Sequence, residues 1–221
     1  MKLNKYIDHT VLKAVTEPKD VKKLCAEARE YDFFSVCING CYVKLAAKEL
    51  QGSDVKVCAV IGFPLGAMST ESKVFEATQC IKDGASEIDM VINVGMLKAG
   101  EYDYVENEIR KIKEAIGTNV LKVIIENCYL TDEQKRIATE LCLKANADFV
   151  KTSTGFGTGG ATFEDIALMK SIVGDKAQLK AAGGVRDLAT AKKYIELGAT
   201  RLGTSSGVEL MTTGTADPNK Y

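Results

Sequence analysis

Eight short runs of apolar and β-branched residues recur along the chain at intervals of about 20 to 35 residues, with apolar residues at helical spacing between them. The runs centre on Tyr6, Val36, Val57, Met90, Ile124, Val150, Lys180 and Leu202. Helical segments are marked by Val21, Leu24 and Ala28 followed by Tyr31, by Val105, Ile109, Ile112 and Ile116, and by Ala191, Tyr194 and Ile195 before a capping Gly198. Strands separated by helices pair in parallel through crossovers, so the alternation predicts an α/β fold. Eight such units in 221 residues suit a closed (β/α)8 barrel, a TIM barrel near the lower end of its size range. An open doubly wound sheet is the competing architecture. It is disfavoured because no G-x-G-x-x-G follows the first strand and the pattern does not change style midway.

No linker or low-complexity tract divides the chain, so residues 1–221 read as a single domain, with a flexible end after about Met211. Hydrophobic residues at 46% and charged residues at 27% exclude a disordered or fibrous protein. Lys plus Arg, 29, nearly cancels Asp plus Glu, 30, and no basic cluster is present, so neither nucleic acid nor an anionic membrane is an expected partner. The seven cysteines are odd in number and form no C-x-x-C pair, which points to reduced thiols and a cytoplasmic setting. One histidine, His9, and the absence of zinc-like cysteine spacing argue against a metal site. Neither a secretory leader nor a membrane-spanning run is expected.

A parallel strand covered on both faces reads as continuously apolar, so a charge within one is the informative exception. Asp8 (YIDHT), Asp89 (EIDMV), Lys122 and Glu126 (LKVIIE), Lys151 (FVKTS) and Lys180 (LKAAGG) break the rule. Buried charges must pair or lie at a wet mouth, and in a barrel that mouth is the active site. A desolvated lysine facing a second cation gives up its proton more readily, and the free amine attacks carbonyl groups. Lys151 and Lys180 suit such a pair. Each lysine alone reads equally as a snorkelling side chain or an ordinary ion pair; the set together reads as a site.

Small residues cluster where the last two strands hand over to helices: AAGGVR at residues 181–186 and GTSSG at residues 203–207. Exposed backbone N–H groups there suit an anion, and barrels frequently hold phosphate between these two loops. Either string alone is an ordinary turn. A third glycine-rich stretch, residues 152–162, follows Lys151 and reads as a substrate cradle or a plain loop, and IGFPLGAMST at residues 61–70 reads as a tight strand-to-helix turn.

With these residues assembled, the sequence resembles the deoxyribose-phosphate aldolase family, class I aldolases on a (β/α)8 barrel, from Ile7 to Gly207. The matching strings are IDHTVLK, VIGFPLGA, EIDMVINVG, KVIIE, DFVKTSTGF, KAAGGVR and GTSSGV. The resemblance implies reversible cleavage of 2-deoxy-D-ribose 5-phosphate to acetaldehyde and D-glyceraldehyde 3-phosphate, in deoxyribose catabolism. It places the Schiff-base lysine at Lys151, the lysine that perturbs it at Lys180 and the proton-relay carboxylate at Asp89. Asp8, Lys122, Glu126 and Thr152 become supporting residues. The phosphate site falls on Gly155, Gly183, Gly184, Arg186, Gly203, Ser205 and Ser206. No cofactor is implied; the partners are a sugar phosphate and aldehydes, and a homodimer follows only by analogy with such relatives.

Several positions depart from common family patterns: Gly40 where NP-type strings are usual, Ala14-Val15 in place of a proline turn, Asn127 after Glu126, and Phe156 where one branch carries a phosphate-contacting lysine. Tyr221 matches a C-terminal tyrosine that reaches the active site in some relatives, although a tail residue without that role is the simpler reading. Cys37 reads as a small buried hydrophobe and His9 as a structural hydrogen-bonding residue. Two other functions compete: a Schiff-base aldolase of the transaldolase or fructose-6-phosphate aldolase kind, and a barrel that binds sugar phosphates without catalysis.

Overall fold

In the computed structural model, which describes residues 2–216, eight parallel strands close into a barrel in sequence order, with the first beside the last. They are β1 (Ile7–Val11), β2 (Ser35–Asn39), β3 (Lys56–Ile61), β4 (Glu87–Val91), β5 (Val120–Ile124), β6 (Phe149–Lys151), β7 (Gln178–Ala182) and β8 (Arg201–Thr204). The helices between and after them are α1 (Pro18–Glu30), α2 (Val43–Glu49), α3 (Thr70–Lys82), α4 (Val94–Lys98), α5 (Tyr102–Ile116), α6 (Asp132–Lys144), α7 (Phe163–Val173), α8 (Leu188–Glu196) and α9 (Gly207–Thr212). The expected (β/α)8 barrel is therefore the observed one. No helix among the described residues is long and apolar enough to cross a membrane.

Strand side chains alternate between faces, and the two parities of this sequence do different work. One parity, including Ile88 and Met90 on β4 and Leu121 and Val123 on β5, joins Val105, Ile109 and Ile112 of α5 in one continuous apolar core. The other parity carries the charges. Asp89 pairs in register with Lys122, and Lys151 with Lys180, so each pair shares a face of the sheet. Buried Val91, Ile124, Phe149 and Ala182 share that face, with a small apolar cluster of Leu12, Cys37, Cys58 and Val60 against which Phe63 packs.

Helix starts are fixed by short polar side chains: Ser69, Thr131, Thr162 and Asp187 each accept a hydrogen bond from a first-turn backbone N–H. The IGFPLG turn packs tightly. A Cβ at Gly66, whose φ is +66°, would lie 2.0 Å from the Ile92 carbonyl oxygen, so only glycine fits there.

Within the stretch after Met211, expected as a flexible end, residues 214–216 pair with the start of α8. Leu188 N donates to the Gly214 carbonyl and Ala216 N to that of Arg186, each at 2.8 Å, and Thr215 forms a bridge with Asp187. Backbone groups at the start of α8 find their partners in this segment. Residues 217–221, Tyr221 among them, lie outside the described residues.

One ion pair ties the helical layer to the sheet. Lys73 of α3 and Glu108 of α5 meet at 2.8 Å with no side-chain exposure, and Lys73 also donates to the Val91 carbonyl at the end of β4 at 2.8 Å. Burial draws both groups toward their neutral forms, Lys73 down and Glu108 up, against their mutual attraction. Such a pair is costly to break from one side, because the remaining charge is left buried alone. Lys73→Ala should lower unfolding stability by about 3 kcal/mol in urea titration.

Candidate active site

A single carboxylate organises the barrel interior. Asp89 Oδ2 accepts hydrogen bonds from Lys151 at 2.7 Å and Lys180 at 2.8 Å, while Oδ1 accepts from Lys122 at 2.9 Å and from the Cys58 thiol at 3.1 Å. Lys180 continues to Asp8 at 2.5 Å, and Asp8 is held in turn by Ser35 at 2.6 Å and Arg201 at 2.8 Å. Arg201 and Lys122 share Glu87, at 3.0 and 2.6 Å. The Arg201 guanidinium also stacks on Phe34, 3.4 Å from the ring centroid. The network is continuous from β1 through β4, β5, β6 and β7 to β8.

Burial and neighbours pull in opposite directions here. Burial raises the Asp89 carboxyl, but Lys122, Lys151 and Lys180 together hold it well below the usual carboxylate range. Asp8 behaves likewise: burial raises it, and Lys180, Arg201 and Lys122 carry it down. Burial lowers Lys180, yet Asp8 and Asp89 outweigh that and keep it charged. Lys122 is held charged mainly by Asp89 against the same burial. Lys180 is thus a fixed cation beside Lys151, bonded to the same oxygen atom.

The mouth of the barrel opens above Lys151. Gly155, Gly183, Gly184, Arg186, Gly203, Ser205 and Ser206 all line one cavity of about 250 Å³, and Lys151 lines it as well. Backbone passes very close to backbone on one side of this mouth: a Cβ at Gly160 would lie 2.2 Å from the Gly183 carbonyl oxygen. A larger neighbouring cavity of about 380 Å³ shares Arg186, Ser205 and Ser206 but contains none of the strand lysines. The reactive groups assign the site to the smaller one.

The other residues singled out in the sequence divide in two. Asp8 and Lys122 belong to the charged network. Glu126 does not: it lies past the end of β5 in a left-handed conformation (φ 53°) and accepts hydrogen bonds from Thr154 instead. Thr152 stitches β6 to β7, donating to the Ala182 carbonyl and accepting from its N–H, both at 3.1 Å. His9 points the other way from Asp8 and bonds Glu27 at 2.8 Å. Cys37 is fully buried, with Sγ 3.9 Å from Asp89 Oδ2. Cys37, Cys58 and Asp89 lie close enough to offer a cation three donor atoms, but ammonium groups already occupy both oxygens of Asp89.

Arg201, Glu87, Cys58 and Ser35 were not legible as site residues. Strand parity carries the missing signal: Glu87 precedes Asp89 by two, Ser35 precedes Cys37 by two, and Arg201 precedes Gly203 by two, so each points to the same face as its neighbour.

Comparison with known proteins agrees with this fold. Residues 2–211 match the family model described as DeoC/LacD family aldolase. The chain belongs to the DeoC/LacD family of aldolases. This family member is 58% identical over 211 residues to the deoxyribose-phosphate aldolase of Finegoldia magna, covering 96% of this chain and 99% of the relative. It is 56% identical over 219 residues to that of Streptococcus gordonii, covering 99% and 100%. Among solved structures, an aldolase named QR15 superposes with a TM-score of 0.90 at 44% identity, over 93% of this chain and 92% of the other. The deoxyribose phosphate aldolase from Aeropyrum pernix, described as a unique tetramer, superposes at 0.89 with 30% identity, over 96% and 92%.

The depressed carboxyls of this aldolase make its stability depend on pH in a defined direction. Asp8 and Asp89 ionise more readily when folded, so they stabilise the fold above the unfolded carboxylate range near about 4, and this contribution is lost as pH falls below it. Urea midpoints should therefore drop from about pH 5 to about pH 3. Asp8→Asn should be less stable at neutral pH and show a shallower drop.

Proposed function

We propose that the chain cleaves 2-deoxy-D-ribose 5-phosphate reversibly to acetaldehyde and D-glyceraldehyde 3-phosphate, with Lys151 as the imine-forming residue. The observation that carries this reading is the charge count around Asp89. The network joins four basic side chains, Lys122, Lys151, Lys180 and Arg201, to three carboxylates, Asp8, Glu87 and Asp89. One positive charge is in surplus, and a buried surplus charge is costly. Of the four only Lys151 lines the cavity, so the surplus falls at the side chain that meets a substrate carbonyl. A free amine at a cavity mouth is a nucleophile for a carbonyl carbon.

The steps follow from that amine. Lys151 Nζ adds to the C1 aldehyde of the open-chain sugar, and loss of water gives an iminium. The proton leaves the C3 hydroxyl, the C2–C3 bond breaks, and its electron pair moves into the iminium to form an enamine. D-Glyceraldehyde 3-phosphate departs. Protonation of the enamine at C2 and hydrolysis then release acetaldehyde and regenerate the amine. Asp89, with Lys180 beside it and a water between it and the sugar, relays these protons.

The phosphate of the sugar is assigned to the glycine and serine loops after β7 and β8. Gly183 and Gly184 carry φ values of +82° and +84°, which turn successive peptide groups toward the mouth, and Arg186 adds a cation at the rim. Phe156, half exposed, packs edge-on against Phe63 at 5.4 Å and supplies no charge where one family branch has lysine. The role belongs to breakdown of deoxyribose phosphates. All seven cysteines are free thiols, which supports a reducing cytoplasmic setting.

Borohydride trapping with acetaldehyde, followed by peptide mapping, should place a two-carbon adduct on Lys151; a folded protein with no adduct there would overturn the imine mechanism. Lys151→Ala should abolish turnover. Lys180→Ala should lower kcat by at least about a hundredfold, because it removes the fixed cation beside the nucleophile and half of the relay. Ser206→Ala should raise KM for the phosphorylated sugar and leave KM for free deoxyribose unchanged. Steady-state kinetics on both sugars checks these outcomes.

A further inference from the structure

Of the six charged residues singled out near the strands, Glu126 is the one that the Asp89 network does not use. It is 3% exposed, it does not line the cavity beside Lys151, and its backbone sits at φ 53°, where L side chains are rarely found. Strain of this kind persists where surrounding contacts enforce it. Apart from the Cys128 thiol, 3.9 Å from Oε1, the side-chain contacts here run to one loop. Glu126 Oε1 accepts the Thr154 N–H at 3.2 Å, and Oε2 accepts the Thr154 hydroxyl. The Thr154 hydroxyl oxygen in turn accepts the Phe156 N–H at 3.0 Å. The same loop rests on Glu126 further along, since a Cβ at Gly157 would lie 3.2 Å from Glu126 Cδ.

Thr154 and Gly155 line the cavity directly. Gly155 has φ +88°, so the direction of its peptide groups depends on where Thr154 is held. We propose that Glu126 is a positioning residue for phosphate specificity: its carboxylate anchors Thr154 from behind and so fixes the Gly155 backbone that faces the substrate phosphate. A carboxylate behind an anion site is otherwise unfavourable. Its presence is explained if geometry matters there more than charge, because a carboxylate accepts from a backbone N–H and a hydroxyl at once. Lys151 is carried on β6 and held by Asp89, so this anchor acts on binding of the phosphate and not on the amine.

The inference builds on the aldolase reading in the choice of sugar, and phosphate binding tests it independently. In Glu126→Ala, KM for 2-deoxy-D-ribose 5-phosphate should rise about tenfold, the loss expected for one charge-assisted hydrogen bond, while KM and kcat for free deoxyribose stay unchanged. Glu126→Gln keeps both contacts, its amide oxygen accepting the Thr154 N–H and its amide N–H donating to the Thr154 hydroxyl oxygen, and should stay within about twofold of the parent on both sugars. Calorimetric titration with inorganic phosphate should show the same tenfold loss in Glu126→Ala and its recovery in Glu126→Gln. If Glu126→Ala does not fold, Glu126→Asp, one methylene too short to reach Thr154, should show the same split. Equal rises in KM for both sugars, or unchanged phosphate affinity in the alanine variant, would overturn the proposal. If the parent protein cleaves neither sugar, the aldolase reading falls, and the phosphate titration alone decides the role of Glu126.

Discussion

Everything in this barrel depends on neutralising charge where water is excluded. Lysines on β5, β6 and β7 and carboxylates on β1 and β4 point into one interior, and each would be prohibitive alone. Asp89 resolves most of this by accepting from three ammonium groups, two on one oxygen and one on the other. The same arrangement that makes the interior tolerable fixes the position of every reactive group. Stability and chemistry therefore rest on one set of contacts, and neither can be adjusted without the other.

The site has two parts with different mechanical character. Lys151, Lys180, Lys122 and Asp89 stand on strands, where register sets their separation and the surrounding core prevents movement. The glycines and serines that line the cavity stand on loops after β6, β7 and β8. Loops need anchors that strands do not. Thr152 joins the start of one such loop to β7, and Glu126 reaches from β5 to hold its next turn. The division between a strand-borne charged centre and a loop-borne cavity rim is thus visible in which backbone each residue occupies.

Much of the fold was legible because alternation has few solutions: strands separated by helices must be parallel, and eight of them close. The six charged residues near strands also stood out, since charge in a covered strand has no bland explanation when repeated. What stayed hidden were Arg201 and Glu87, at the first positions of β8 and β4, where a charged residue ordinarily marks a solvated strand end. Here the barrel floor buries them at 4% and 3% exposure. Cys58 and Ser35 were hidden for another reason. Small neutral side chains carry no signal in composition, and their value comes from which acceptor lies within reach.

The sequence by itself determined the parallel (β/α)8 architecture, the strand lysines that share a site with Asp89, and the two glycine-rich turns beside them, because periodicity and misplaced charge are local properties. Only the tertiary structure decided which charges share an oxygen, that Glu126 stands apart from the Asp89 network, and that residues 214–216 pair with the start of α8. Those outcomes depend on register between strands distant in sequence, such as Asp8 meeting Lys180 and Arg201 across the closure of the barrel. Closure brings the first strand beside the last, and no local pattern records that contact.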